Sequence, residues 1–281
     1  MTSLEVFEVD SINDVDAVMN VIRKYGICII RKFIEEDDLR DISNEHNRIL
    51  KSKTNNTKAH PGNKDGVVCA LRRSKLNELE VNTTIKYFYS DQTRAIADKY
   101  YSQGHNFNEY IFFTNEKHDP NPILPWHHDR SQSLKFYLYL IDTNVDNGAF
   151  EFVPGSHKYG YYRANYYIAT GCPIDDIPND IPDEEIFNPV SFSLNAGDLI
   201  IFDADGFHRG GIVREGQERK VIRAQTYPYP YSGYSKPKLF SPLWWAQSFF
   251  NPVKHFKKQL GRNMSDEFRP GATNAKLRGK D

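Results

Sequence analysis

The residues best suited to chemistry sit in "WHHDR", where His127 and Asp129 are separated by a single residue. Side chains two apart on an extended segment share a face, so the imidazole and the carboxylate project together while His128 points away. Converging on one point, they supply two ligands to a divalent ion. Alone, this pattern equally describes polar residues at a strand end. In "NAGDLIIFDADGFHRGG" a Gly-Asp turn leads into an apolar strand and then to His208 among glycines. Strands remote in sequence lie side by side in a jelly roll, which lets His208 complete the set. Two histidines and one carboxylate on one side of an ion leave positions open, the arrangement of non-haem iron(II) oxygenases. A catalytic zinc with three protein ligands draws on the same residue types.

Arg219, eleven residues beyond His208 in "HRGGIVREGQER", is the third feature. A hairpin of that length returns it beside the metal. Arginine stays charged when buried and offers a fork that matches a carboxylate. It suits the far end of a dicarboxylate whose near end chelates the ion, and 2-oxoglutarate has that shape. Arg214, Lys220 and Arg223 are close by, and a solvated surface arginine is the plain alternative. Trp126 and Arg130 flank the first two ligands and are candidates to line a substrate pocket, with core packing and a surface charge as their alternatives.

The surrounding elements must hold these groups. Ile12, Val15, Val18, Met19 and Ile22 are spaced as on a helix that stops before Gly26. "ICIIRKF" reads as a buried strand, and "IEEDDLRDISNEHNRIL" as a helix with acidic residues in its first turn. Residues 51 to 65, rich in Asn, Thr, Lys, Pro and Gly, read as a mobile loop. "DQTRAIADKYYSQ" is expected to form a third helix. From Tyr110 the texture becomes short strands separated by turns such as Asn147-Gly148 and Pro154-Gly155. Leu134, Phe136, Leu138 and Leu140 alternate with polar or aromatic residues, as on a strand with one face inward. Helices first and strands after predict a mainly β protein with flanking helices, a helical layer supporting a double-sheet jelly roll.

Composition narrows the classes. A formal net charge of -1 gives no basic surface for nucleic acid. Cys28, Cys69 and Cys172 are odd in number and lack CxxC spacing, which argues for free thiols rather than a zinc knuckle or disulfide framework. The acidic amino terminus lacks a basic-then-apolar run, and no apolar stretch approaches the ~20 residues of a membrane span. A cytoplasmic protein is expected.

Together "WHHDR", "LYLIDTNVDNGAFEFVPGSHK", "GDLIIFDADGFHRGG" and Arg219 resemble the phytanoyl-CoA dioxygenase family of iron(II)/2-oxoglutarate oxygenases, from about Gly26 through Tyr227. The resemblance implies a double-stranded β-helix, cupin-like, with amino-terminal helices on one sheet. It implies iron(II) on His127, Asp129 and His208, 2-oxoglutarate on Arg219, and O2 as oxidant. The reaction implied is hydroxylation of an unactivated C–H bond of a small molecule, with release of succinate and CO2. Related halogenases lack the carboxylate that Asp129 provides. Many members carry serine two residues after the distal histidine, where this chain has Gly210, so another group must help hold the cosubstrate. His157 in "PGSHK" reads as structural.

The whole chain, 1–281, is then read as one dioxygenase domain: a helical support at 1–108, a core at 109–227 with a lid insertion at 158–187, and an aromatic, basic extension at 228–281. The extension raises contact with a membrane surface as a lesser possibility. Two other classes fit parts of the pattern. A cupin-type isomerase or hydrolase would use the triad without 2-oxoglutarate, and a non-catalytic jelly-roll binding protein would need no triad.

Overall fold

A computed structural model of the protein describes residues 4–52, 57–60, 63–101, 104–119, 125–129, 132–161 and 188–228. After a 3-10 turn, β1 (Glu8–Val9) leads to α1 (Val15–Tyr25), β2 (Ile27–Ile30) and α2 (Glu36–Lys51). The hairpin of β3 (Thr57–His60) and β4 (Asn63–Arg72) precedes α3 (Arg73–Glu78), α4 (Asn82–Phe88) and α5 (Asp91–Tyr100). Strands follow: β5 (His105–Asn106), β6 (Tyr110–Lys117), β7 (Leu134–Tyr139), β8 (Phe150–Phe152), β9 (Val190–Phe192), β10 (Leu199–Asp203), β11 (His208–Gly210) and β12 (Glu218–Pro228).

Local chemistry explains the helix ends. Asp14 caps α1 by accepting from the Ala17 amide at 2.9 Å, and the chain leaves through Gly26 at φ +80°. Only glycine fits there for a second reason: the buried His157 ring occupies the space a Cβ would need. In α2, Glu36, Asp37 and Asp38 open the helix and Arg48 and Lys51 close it, in line with the dipole. The first turn of α4 is capped from another helix, because Glu45 of α2 accepts from the Thr83 and Thr84 amides at 2.8 Å each.

Nine strands form a large sheet in the order β1-β2-β10-β7-β12-β6-β4-β3, with β5 pairing β12. The β1–β2 pair is parallel and the others are antiparallel. A smaller sheet runs β11-β8-β9. The architecture is thus mixed α and β around a large, mostly antiparallel sheet. One face of that sheet buries Cys69, Phe113, Phe136, Leu138 and Ile201 against Val18, Met19, Ile42 and Ile49 of α1 and α2. The opposite face packs Ile29, Tyr139, Ile200, Phe202 and Val221 against Phe150, Phe152 and Phe192 of the small sheet.

Several expectations need correction. The segment from 51 to 65 is not simply a loop: it contains β3 and the start of β4, which form the edge of the large sheet. The expected alternation on β7 is present, but both its faces are covered, with Lys135 8% and Tyr139 1% exposed. Two short helices, α3 and α4, were not anticipated. The insertion beyond residue 161 and the extension beyond 228 lie outside the described residues, as do Arg130 and Cys172. Cys28 and Cys69 are buried thiols, and neither is in a disulfide. No helix among the described residues is long and apolar enough to cross a membrane.

Candidate metal centre and its cavity

His127, Asp129 and His208 meet between the two sheets, with one potential ligand atom from each lying within 4.8 Å of the others. His127 is not on a regular strand. It forms an isolated antiparallel bridge to His208, its amide donating to the His208 carbonyl at 3.2 Å and the His208 amide donating back at 2.8 Å. The Asp129 amide donates to Ala204 at 2.8 Å, so the "HHD" segment is bound along the chain that leads from β10 into β11. The side-chain alternation expected of a strand survives: His128 turns away and is buried edge-on against Phe207 at 5.2 Å between centroids.

Hydrogen bonds decide how the imidazoles face the centre. His127 Nδ1 lies 2.9 Å from the Pro125 carbonyl, and His208 Nδ1 lies 2.8 Å from the Gly206 carbonyl. A carbonyl only accepts, so each Nδ1 carries the proton and each Nε2 keeps its lone pair. Both Nε2 atoms lie 3.7 Å from Asp129 Oδ1. Burial, together with the nearby His127, pushes the His208 pKa well down, which keeps that imidazole neutral. Burial alone would raise the Asp129 pKa, but the Lys135 ammonium against Oδ2 outweighs it and holds the carboxylate ionised. Two neutral imidazole nitrogens and a carboxylate oxygen, oriented by backbone carbonyls and an ammonium, are a donor set suited to a divalent transition metal.

The three groups open into a cavity of about 160 Å³, walled by Tyr137, Tyr139, Phe150 and Val221. Arg219 is in its lining and is 5% exposed. Its fork is already engaged. Nε and Nη2 hold Glu116 of β6, while Nη1 donates to the Gly148 carbonyl. The register explains the pairing, since Arg219 lies directly opposite Glu116 on the β12–β6 ladder. Gly210 also gains a physical role. A Cβ there would fall on the guanidinium, with Nη1 at 3.0 Å, so the position expected to carry serine is filled by the arginine itself.

Sequence reasoning missed Glu116 and Lys135. Alternation in "YIFFTNEK" sends Ile111 and Phe113 to the helical layer, and the same alternation puts Phe112 and Glu116 on the cavity side. In the sequence, Lys135 reads only as one of the residues alternating with the apolar positions of β7. Trp126 is not in the cavity lining; its ring carries the Arg209 guanidinium at 4.6 Å, and Arg209 pairs with Glu151 at 2.6 Å. His157 is buried away from the centre, with its pKa pushed down to about 3 by burial, consistent with a structural role.

Residues 22–221 match the sequence model of the family described as phytanoyl-CoA dioxygenase (PhyH). No curated protein matches the chain. Among solved structures, the non-heme alpha ketoglutarate dependent epimerase SnoN from nogalamycin biosynthesis superposes with a TM-score of 0.54 at 17% identity, over 75% of this chain and 81% of that one. The carbocyclase SnoK from the same biosynthesis gives 0.53 at 13% identity, over 73% and 81%. HygX from Streptomyces hygroscopicus, with nickel, 2-oxoglutarate and hygromycin B bound, gives 0.54 at 14% identity, over 77% and 88%. At these identities the likeness is one of fold.

Proposed function

The chain belongs to the phytanoyl-CoA dioxygenase family, and from that premise we propose that it is an iron(II)- and 2-oxoglutarate-dependent dioxygenase acting on a small molecule. The stacked sheets are read as a double-stranded β-helix, and 1–281 as one domain. His127, Asp129 and His208 are the metal ligands, and the carrying observation is that both imidazoles turn Nε2, with its lone pair, toward Asp129 Oδ1. Structural neighbours support the cofactors, since SnoN was solved with Fe3+ and alpha ketoglutarate and HygX with nickel and 2-oxoglutarate.

Iron(II) with 2-oxoglutarate and O2 supplies the oxidising power, spending the cosubstrate to succinate and CO2. The protein's part is to bind and orient. Lys135 holds one oxygen of Asp129 and leaves the other turned to the histidines. Tyr139, Phe150 and Val221 wall the cavity with largely apolar surface and limit water. Arg219 receives the far carboxylate of the cosubstrate, which requires Glu116 to yield part of the fork. The expected outcome is hydroxylation of an unactivated C–H bond. Epimerisation and ring closure use related scaffolds, as the names of SnoN and SnoK indicate, and product analysis distinguishes them.

Anaerobic protein given iron(II) and then 2-oxoglutarate should develop a weak visible charge-transfer band. No band, with zinc found on metal analysis, would instead favour a cupin-type isomerase or hydrolase.

A further inference from the structure

Five charged side chains line the cavity, and four of them neutralise one another: Asp129 pairs with Lys135, and Glu116 with Arg219. The fifth is Arg223. It lies on β12 four residues beyond Arg219, so alternation places both on the cavity face. Its guanidinium sits over the rings of Tyr137 at 5.7 Å and Phe112 at 6.0 Å. Its Nε is buried with no hydrogen-bond partner, and it makes no ion pair with any described residue. Beside it lies a second, more open pocket of about 180 Å³, lined by Phe112, Lys135, Tyr137, Ala224 and Gln225 as well as Arg223.

A buried N–H without an acceptor is costly, and packing alone would be served by an apolar side chain. The rings of Phe112 and Tyr137 attract and restrain the half-buried guanidinium. We propose that Arg223 is the anchor for an anionic group, a carboxylate or its like, on a small molecule that occupies this cavity. The inference rests on reading the cavity as the reaction site. Charge bookkeeping favours the substrate as the source of that group. The two protein pairs are neutral, a ferrous ion and a 2-oxoglutarate dianion cancel, and the Arg223 charge is left over. If Glu116 keeps the Arg219 fork, however, the same anchor would take the far carboxylate of 2-oxoglutarate.

The full chain, loaded anaerobically with iron(II), separates the two sources. 2-Oxoglutarate is titrated by its visible band in the wild type, Arg223→Gln and Arg223→Lys. Calorimetry then follows phenylacetate and the neutral phenylacetamide into the same proteins saturated with iron and 2-oxoglutarate. Wild type preferring the carboxylate about tenfold or more, with that preference lost in Arg223→Gln and partly kept in Arg223→Lys, assigns the anchor to the substrate. A loss of 2-oxoglutarate affinity of about tenfold or more in Arg223→Gln assigns it to the cosubstrate. An unchanged 2-oxoglutarate titration together with no carboxylate preference overturns the proposal. A wild type without the band refutes the oxygenase reading alone, and the calorimetric preference, measured without cosubstrate, still decides Arg223. Thermal melts check folding, and the lysine variant carries the test if the glutamine variant does not fold.

Discussion

Replacing Glu116 with Gln should make the protein less stable and yet bind 2-oxoglutarate more tightly. Glu116 and Arg219 are 4% and 5% exposed, and the carboxylate engages Nε and Nη2. Removing one partner of a buried pair costs about 3–5 kcal/mol, because the other charge is left uncompensated. The amide oxygen of Gln still accepts one bond, and Nη1 keeps the Gly148 carbonyl, so the lower end, about 3 kcal/mol, is expected. For a chain of this size that lowers Tm by roughly 6–12 °C. The freed fork then meets the cosubstrate without a resident competitor. Recovering a charge-assisted bidentate contact worth about 1.5–3 kcal/mol strengthens 2-oxoglutarate binding roughly tenfold to a hundredfold. Melts with and without 2-oxoglutarate, alongside anaerobic titration of the iron-loaded protein, read both quantities. Cosubstrate at a hundred times its Kd should restore about 2.7 kcal/mol. A variant as stable as wild type, or one that binds 2-oxoglutarate more weakly, would refute the reasoning.

Asp129→Ala should abolish succinate formation coupled to product and weaken iron binding, and full activity would remove Asp129 from the ligand set. Gly148→Ala should cost about 1–3 kcal/mol in urea unfolding, since Gly148 has φ +80° and a Cβ would lie 2.9 Å from Arg219 Nη1; an unchanged midpoint would argue against that close approach. His46 is held neutral in the fold, its pKa pushed from 6.5 down to about 4 by burial. The unfolded chain therefore takes up the proton first, so stability falls as pH drops from about 6.5 to 4. His46→Leu should flatten that part of the profile. Phe202→Ala, deep between the sheets and 5.0 Å from His208 between centroids, should cost about 3–5 kcal/mol and lower iron affinity with it.

The candidate metal site was legible because histidine and aspartate are chemically distinctive and their spacing maps onto a face. Glu116 was not, since an acidic residue near a strand end looks solvated until the opposite strand is known to carry Arg219. β3 was obscured by polar composition, which suits a sheet edge as well as a loop. α4, "NTTIKYF", has weak helix formers at its start, and its stabilising cap comes from Glu45, far away in sequence. In each case the missing information was a partner contributed by a distant element. Elements with their own periodicity, such as α1 and β7, needed no such partner.

The paired main-chain bonds between His127 and His208 carry a consequence for handling the protein. Because peptide groups set the gap between the rings, a metal held there would enter a socket already formed. Stripping the protein with a chelator should therefore leave its circular dichroism intact, and metals should be exchangeable in place without a refolding step.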